Sequence, residues 1–212
     1  MPAPVSPAAQ AVLSRLHAEA AGDRARWEAR TGAAPDPAGG GGGALVRLGE
    51  FYLGVSPEEG RFLHMIARAT TARRIVEFGA SFGISAIYLA EAARANGGAL
   101  WTTEVHPDKC RALRAVFAEA GLEGVVTLLE GDARETLRDL PGPVDLLFLD
   151  GWKSAYLPVL KLMAPKLAPG ALVLADNCFH EAAADYLEAV QDPDSDWLTS
   201  IQGDMAITLA PS

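Results

Sequence analysis

The sequence predicts an α/β fold: a Rossmann-like, doubly wound sheet, mostly parallel, with a C-terminal antiparallel strand and an N-terminal helical appendage. Three observations carry this. From Leu45 onward, short apolar runs alternate with helical patterns, and near-continuous apolar strands are those covered on both faces. The last two strand candidates, Trp197–Ile201 and Met205–Leu209, are separated only by Gln202, Gly203 and Asp204, which is hairpin spacing. Before Leu45 the chain reads as a helix followed by five consecutive glycines, Gly39 to Gly43.

In chain order, Ser6 and Pro7 read as the N-cap and first residue of a helix. Val12, Leu13, Leu16, Ala20 and Trp27 then recur at roughly helical spacing. With the glycine run as a hinge, residues 1–44 are expected to form a movable lid or a homodimer arm, and residues 45–212 the main domain. Strand candidates follow at Arg74–Phe78, Ala99–Glu104, Val125–Glu130, Val144–Asp150 and Ala171–Asp176. Helical patterns fill the intervals at Gly83–Ala95, Pro107–Ala120, Ala133–Leu140, Ser154–Leu167 and Phe179–Val190.

Bulk composition narrows the function. There are 27 acidic against 18 basic residues, a formal charge of −9, which argues against binding a phosphate backbone, so no nucleic-acid partner is expected. No apolar run approaches the length of a membrane span, so no membrane partner is expected either. Cys110 and Cys178, far apart and without CxxC spacing, read as reduced thiols of a cytoplasmic protein rather than a disulfide or zinc site.

Ligands of an open α/β sheet bind outside the carboxyl ends of its strands. The first strand ends Glu77-Phe78-Gly79-Ala80-Ser81-Phe82-Gly83-Ile84-Ser85. Its glycines allow a tight turn and close approach of a ligand at a helix N-terminus. The pattern lacks the second glycine of GxGxxG, which disfavours a pyrophosphate and hence a dinucleotide-dependent dehydrogenase. Glu104 ends the second strand, 25 residues after Gly79, where a carboxylate can accept from ribose hydroxyls. Asp132 and Ala133 follow the third. The fourth strand runs into Asp150-Gly151-Trp152-Lys153-Ser154-Ala155-Tyr156, and the fifth into Asp176-Asn177. Neighbouring strands lie about 4.8 Å apart, so Asp150, Asp176 and Asn177 can converge as a hard, all-oxygen ligand set suited to Mg²⁺. Each of these residues is also common at a strand end without any ligand.

Together they resemble the class I methyltransferases and, within them, the catechol and caffeoyl-type O-methyltransferases, over about Val46 to Leu209. The resemblance implies S-adenosylmethionine as cofactor, with Val55, Glu77, Gly79, Ser81, Ser85, Glu104, Asp132, Ala133 and Asp150 around it. Gly54 to Gly60 is similar to the segment that closes over the cofactor's methionine part. It also implies Mg²⁺ on Asp150, Asp176 and Asn177, substrate contacts from Trp152, Lys153 and Asn177, and Lys153 as the general base. Gly151 departs from that pattern, standing where the catechol enzyme has histidine. Around Asp196 to Thr199 no residue matches the glutamate that touches the second catechol hydroxyl. The expected activity is therefore methylation of a hydroxyl on a small catechol-like or vicinal-diol molecule. The alternatives are a metal-independent methyltransferase of the same fold and a non-enzymatic cofactor-binding module.

Overall fold

A computed structural model describes residues 5–23, 25, 26, 29 and 49–211. Its centre is a seven-stranded sheet in the order β3-β2-β1-β4-β5-β7-β6. The strands are β1 (Arg74–Phe78), β2 (Ala99–Glu104), β3 (Val126–Glu130), β4 (Val144–Leu149), β5 (Leu167–Ala175), β6 (Leu198–Gln202) and β7 (Met205–Leu209). The first five pair in parallel, and β7 runs antiparallel to both β5 and β6, as the hairpin spacing predicts. Strand order reverses between β1 and β4, which opens a crevice at their carboxyl ends. The register pairs Phe78 with both Thr103 and Leu149, and Leu149 with Ala175, so the ends of β2, β1, β4 and β5 stand level.

Helices cover both faces. On one lie α1 (Pro7–Ala20), α2 (Pro57–Ala69), α3 (Ile84–Ala95) and α4 (Pro107–Glu119); on the other lie the single turn α5 (Ala133–Thr136), α6 (Tyr156–Met163) and α7 (Ala184–Gln191). The α2 helix starts with a capping box, in which Ser56 and Glu59 bond each other's backbone N–H groups. Pro141 follows too closely for α5 to reach Leu140. The segment after Asn177 turns before it coils: His180 Nδ1 accepts from Ala182 N at 3.1 Å, and α7 begins only at Ala184.

The expectation that the N-terminal helix, read as a lid or dimer arm, stands apart from the core is corrected by its packing on that last point. Ser6 caps α1 as predicted, but Ser6 Oγ also donates to Glu91 Oε1 of α3 at 2.6 Å. Ala9, Val12, Leu13 and Leu16 are buried in the same cluster as Ile87 and Leu113. An apolar stripe that regular needs a surface to cover, and α3 and α4 supply it. Trp27, the glycine run and the boundary at residues 44 and 45 lie outside the described residues.

Candidate active site

A cavity of about 640 Å³ lies over the level ends of β1, β2, β4 and β5. At the β1 end the chain turns through Gly79, whose φ of +100° lies in the left-handed region that glycine favours. A Cβ there would stand 2.6 Å from the Gly151 Cα, so two loops meet backbone to backbone beneath the cavity. Gly151 is constrained in turn. Its Cβ would stand 2.5 Å from the Phe78 ring, which explains why the chain carries glycine, not histidine, at that position.

Glu104 is clamped by backbone. Its Oε2 accepts from Ser81 N at 2.9 Å, and its Oε1 from Val105 N and His106 N, both at 2.8 Å. Three of about four acceptor positions of the carboxylate are thereby used. Beside it, Lys109 is 5% exposed and Nζ donates to Ser81 Oγ at 2.9 Å, with the ammonium over the Phe82 ring. Ser81 Oγ donates in turn to the Tyr52 carbonyl. Burial pushes the Lys109 pKa down against the opposing pull of Glu104. No motif marks this lysine; only the fold turns its side chain inward from α4.

Asp132 caps α5 and pairs with Arg134, whose hydrogen bonds hold the Asp132 carboxyl below its ordinary range. Val55, Gly79, Ser81, Glu104, Asp132, Ala133 and Asp150 all line the cavity. Glu77 and Ser85, expected beside them, are buried and do not line it. Glu77 is fully enclosed beneath the turn, hydrogen-bonded by Thr102 Oγ1, and burial raises its pKa to about 7.

At the other end the cavity is lined by Asp150, Trp152, Lys153, Asp176 and Asn177. Lys153 is 1% exposed. Its Nζ lies 3.0 Å from Asp150 Oδ1 and 2.7 Å from Tyr156 Oη, and that hydroxyl donates to the Asp176 carbonyl at 2.9 Å. Burial lifts Asp150 to about 6 even though Lys153 pulls it down. Burial, then Asp150, lifts Asp176 to about 7. The Asp176 Oδ1 is buried with no hydrogen-bond partner. Two buried carboxylates and one orphaned oxygen fit a hard divalent cation. Asn177, at φ +49°, donates through Nδ2 to Asp204 Oδ2 at 3.2 Å, so its amide is turned toward a carboxylate of the β6–β7 turn. Asp204 was absent from the sequence-derived site because its position reads as ordinary turn chemistry.

Sheet order, the crevice at the strand switch and the glycine turn ending β1 define an α/β protein of the class that holds a nucleoside-type ligand at its carboxyl edge. The comparisons narrow the class. Residues 76–178 match the family model described as a methyltransferase domain. An O-methyltransferase, ankF, of Aspergillus thermomutatus is 33% identical over 61% of this chain and 55% of its own length. Catechol O-methyltransferase B of Danio rerio is 33% identical over 70% of this chain and 58% of its own. The chain thus spans little more than half the length of these curated relatives. The cofactor-bound crystal structure of Rv0187 from MTB superposes with a TM-score of 0.68 at 26% identity, covering 88% of this chain and 94% of that one. In sequence over its central strands, and in fold over most of its length, the chain is thus similar to O-methyltransferases.

Proposed function

We propose that the chain is an S-adenosylmethionine-dependent O-methyltransferase acting on a hydroxyl of a small catechol-like or vicinal-diol acceptor, with a divalent cation at the Asp176 end of the cavity. One observation carries the reading: a wholly buried lysine, Lys153, opens onto the same cavity as the Gly79 turn and Glu104. The cofactor supplies a methyl already activated on sulfonium, and a divalent ion, when bound, supplies charge that lowers the pKa of the acceptor hydroxyl.

The remaining work falls to side chains. The Gly79 turn and Glu104 form the cradle for the nucleoside, and Val55 and Ser81 complete its wall. Trp152 offers a flat face to the acceptor ring, and Asn177 an amide. Lys153 Nζ is tetrahedral; Asp150 and Tyr156 take two of its positions, leaving one for the acceptor's proton. Asp150 orients the amine and stabilises the ammonium that forms. Asp150, Asp176 and Asn177 are the sequence-derived donors for the cation. A second reading, methyl transfer without metal, is favoured by the pairing of Asp150 with Lys153. The test is calorimetric titration with S-adenosylhomocysteine, followed by an acceptor screen with and without chelator. Binding with turnover that dies in chelator supports the first reading. Turnover that persists in chelator supports the second.

A further inference from the structure

The Glu104 end of the cavity holds a buried cation that no carboxylate meets directly. Lys109, in the first turn of α4, lines the cavity and is 5% exposed. Its Nζ donates to Ser81 Oγ at 2.9 Å and stands 5.2 Å from the centre of the Phe82 ring. An ammonium offers three N–H bonds, and among the described residues the neutral Ser81 hydroxyl is its one hydrogen-bond acceptor. Glu104 and Asp23 attract it only from a distance, without ion-pair contact among the described residues. The Glu104 carboxylate is meanwhile occupied by the backbone of Ser81, Val105 and His106. Burying a charge without a close partner is costly, because nothing replaces the hydration it loses.

The fold nevertheless aims this ammonium. Ser81 has a φ of +49°, a left-handed conformation that residues other than glycine seldom adopt, and its N–H is tied to Glu104 Oε2 at 2.9 Å. Its hydroxyl hydrogen goes to the Tyr52 carbonyl, which leaves a lone pair for Lys109. The strained turn therefore fixes where Nζ stands, and such strain persists where the surrounding structure imposes it. A ligand seated between the Gly79 turn and Glu104 lies beside Ser81, and so beside Lys109.

We infer that Lys109 Nζ, steadied by Ser81 Oγ, binds the carboxylate of the cofactor's amino-acid tail and makes the chain selective for ligands that carry it. The inference rests on the proposed function and deepens it. S-adenosylmethionine has three charged groups: a sulfonium, an ammonium and a carboxylate. Only the carboxylate can accept a charge-assisted hydrogen bond from a lysine. Its arrival also gives the buried ammonium the counter-charge that Glu104, held by backbone, does not supply.

Calorimetry on the full chain compares S-adenosylhomocysteine with the analogue in which hydrogen replaces the carboxylate. Wild type is set beside Lys109→Met, which keeps the stem's packing, and Lys109→Gln, which keeps a donor for Ser81 Oγ without the charge. Each variant is checked for a cooperative melt by circular dichroism, and one that folds suffices. Wild type should bind S-adenosylhomocysteine about ten-fold or more tightly than the analogue. The variants should erase that preference by weakening S-adenosylhomocysteine alone, with the analogue bound as in wild type. The assignment is overturned if wild type binds the two ligands alike. It is also overturned if a folded variant weakens both equally, since the ammonium then serves Glu104 or the nucleoside. S-adenosylhomocysteine binding that survives unchanged in Lys109→Met sinks the role of Lys109 alone. A folded wild type that binds neither ligand sinks the cofactor reading, and this assignment with it.

Discussion

Lys153 Nζ lies 2.7 Å from Tyr156 Oη, and the pair is wholly buried against the carbonyl of Asp176. The hydroxyl therefore links the candidate base to the end of β5. Tyr156→Phe removes it and leaves an N–H and a carbonyl unpartnered in the interior. Unfolding free energy should fall by about 1–3 kcal/mol in urea melts, and turnover should fall with it. Unchanged stability would show that the hydroxyl does not brace the site.

Glu104 accepts three backbone N–H bonds, so its carboxylate shapes the β1 and β2 loops as well as lining the proposed cofactor cradle. Glu104→Ala should reduce S-adenosylhomocysteine affinity by about 1.5–3 kcal/mol. Glu104→Gln keeps one acceptor oxygen and should lose less. Equal affinities in wild type and Glu104→Ala, by calorimetry, would contradict the placement.

Glu77 gives a pH signature. Burial raises its folded pKa to about 7 from an ordinary 4.5. Between those values the folded state holds the proton that the unfolded chain has lost, so unfolding releases a proton and the fold weakens as pH rises. Glu77→Gln cannot titrate. The difference in Tm between variant and wild type should grow in the variant's favour from pH 4.5 to 7 and level off above. A constant difference would mean that Glu77 does not carry the shift.

The α1 helix belongs to the core, with Leu13 and Leu16 almost wholly buried against α3 and α4. Leu13→Ala should cost about 2–5 kcal/mol of stability in denaturant melts. A loss near zero would restore the picture of a loosely attached arm.

What the sequence discloses and what it hides follow from how each element is made. Strands β1, β2 and β4 are apolar runs buried on both faces, so their ends, and with them Gly79, Glu104 and Asp150, are legible directly. Asp204 is not, because only the antiparallel register of Ala175 with Ala206 brings the turn beside Asp176. Glu59 stands in a segment noticed for its likeness to a cofactor-closing loop, yet its role in the α2 cap and its approach to Asp176 depend on tertiary packing. Lys109 carries no motif, and on an isolated helix it would read as solvated. For α1, the glycine run suggests independence, whereas burial of the apolar stripe decides the packing.

Methyl transfer to oxygen by the intact chain tests the account most directly. S-adenosylmethionine with a labelled methyl is incubated with a vicinal-diol acceptor and a divalent salt, using wild type and Lys153→Arg, which keeps the charge but cannot give up its proton. The account predicts label on an acceptor oxygen with wild type. It predicts a loss of about 10²–10⁴-fold in kcat for Lys153→Arg, with S-adenosylhomocysteine affinity retained. Near-wild-type transfer by Lys153→Arg would contradict the role of Lys153, and a folded wild type that labels no acceptor oxygen would contradict the function itself.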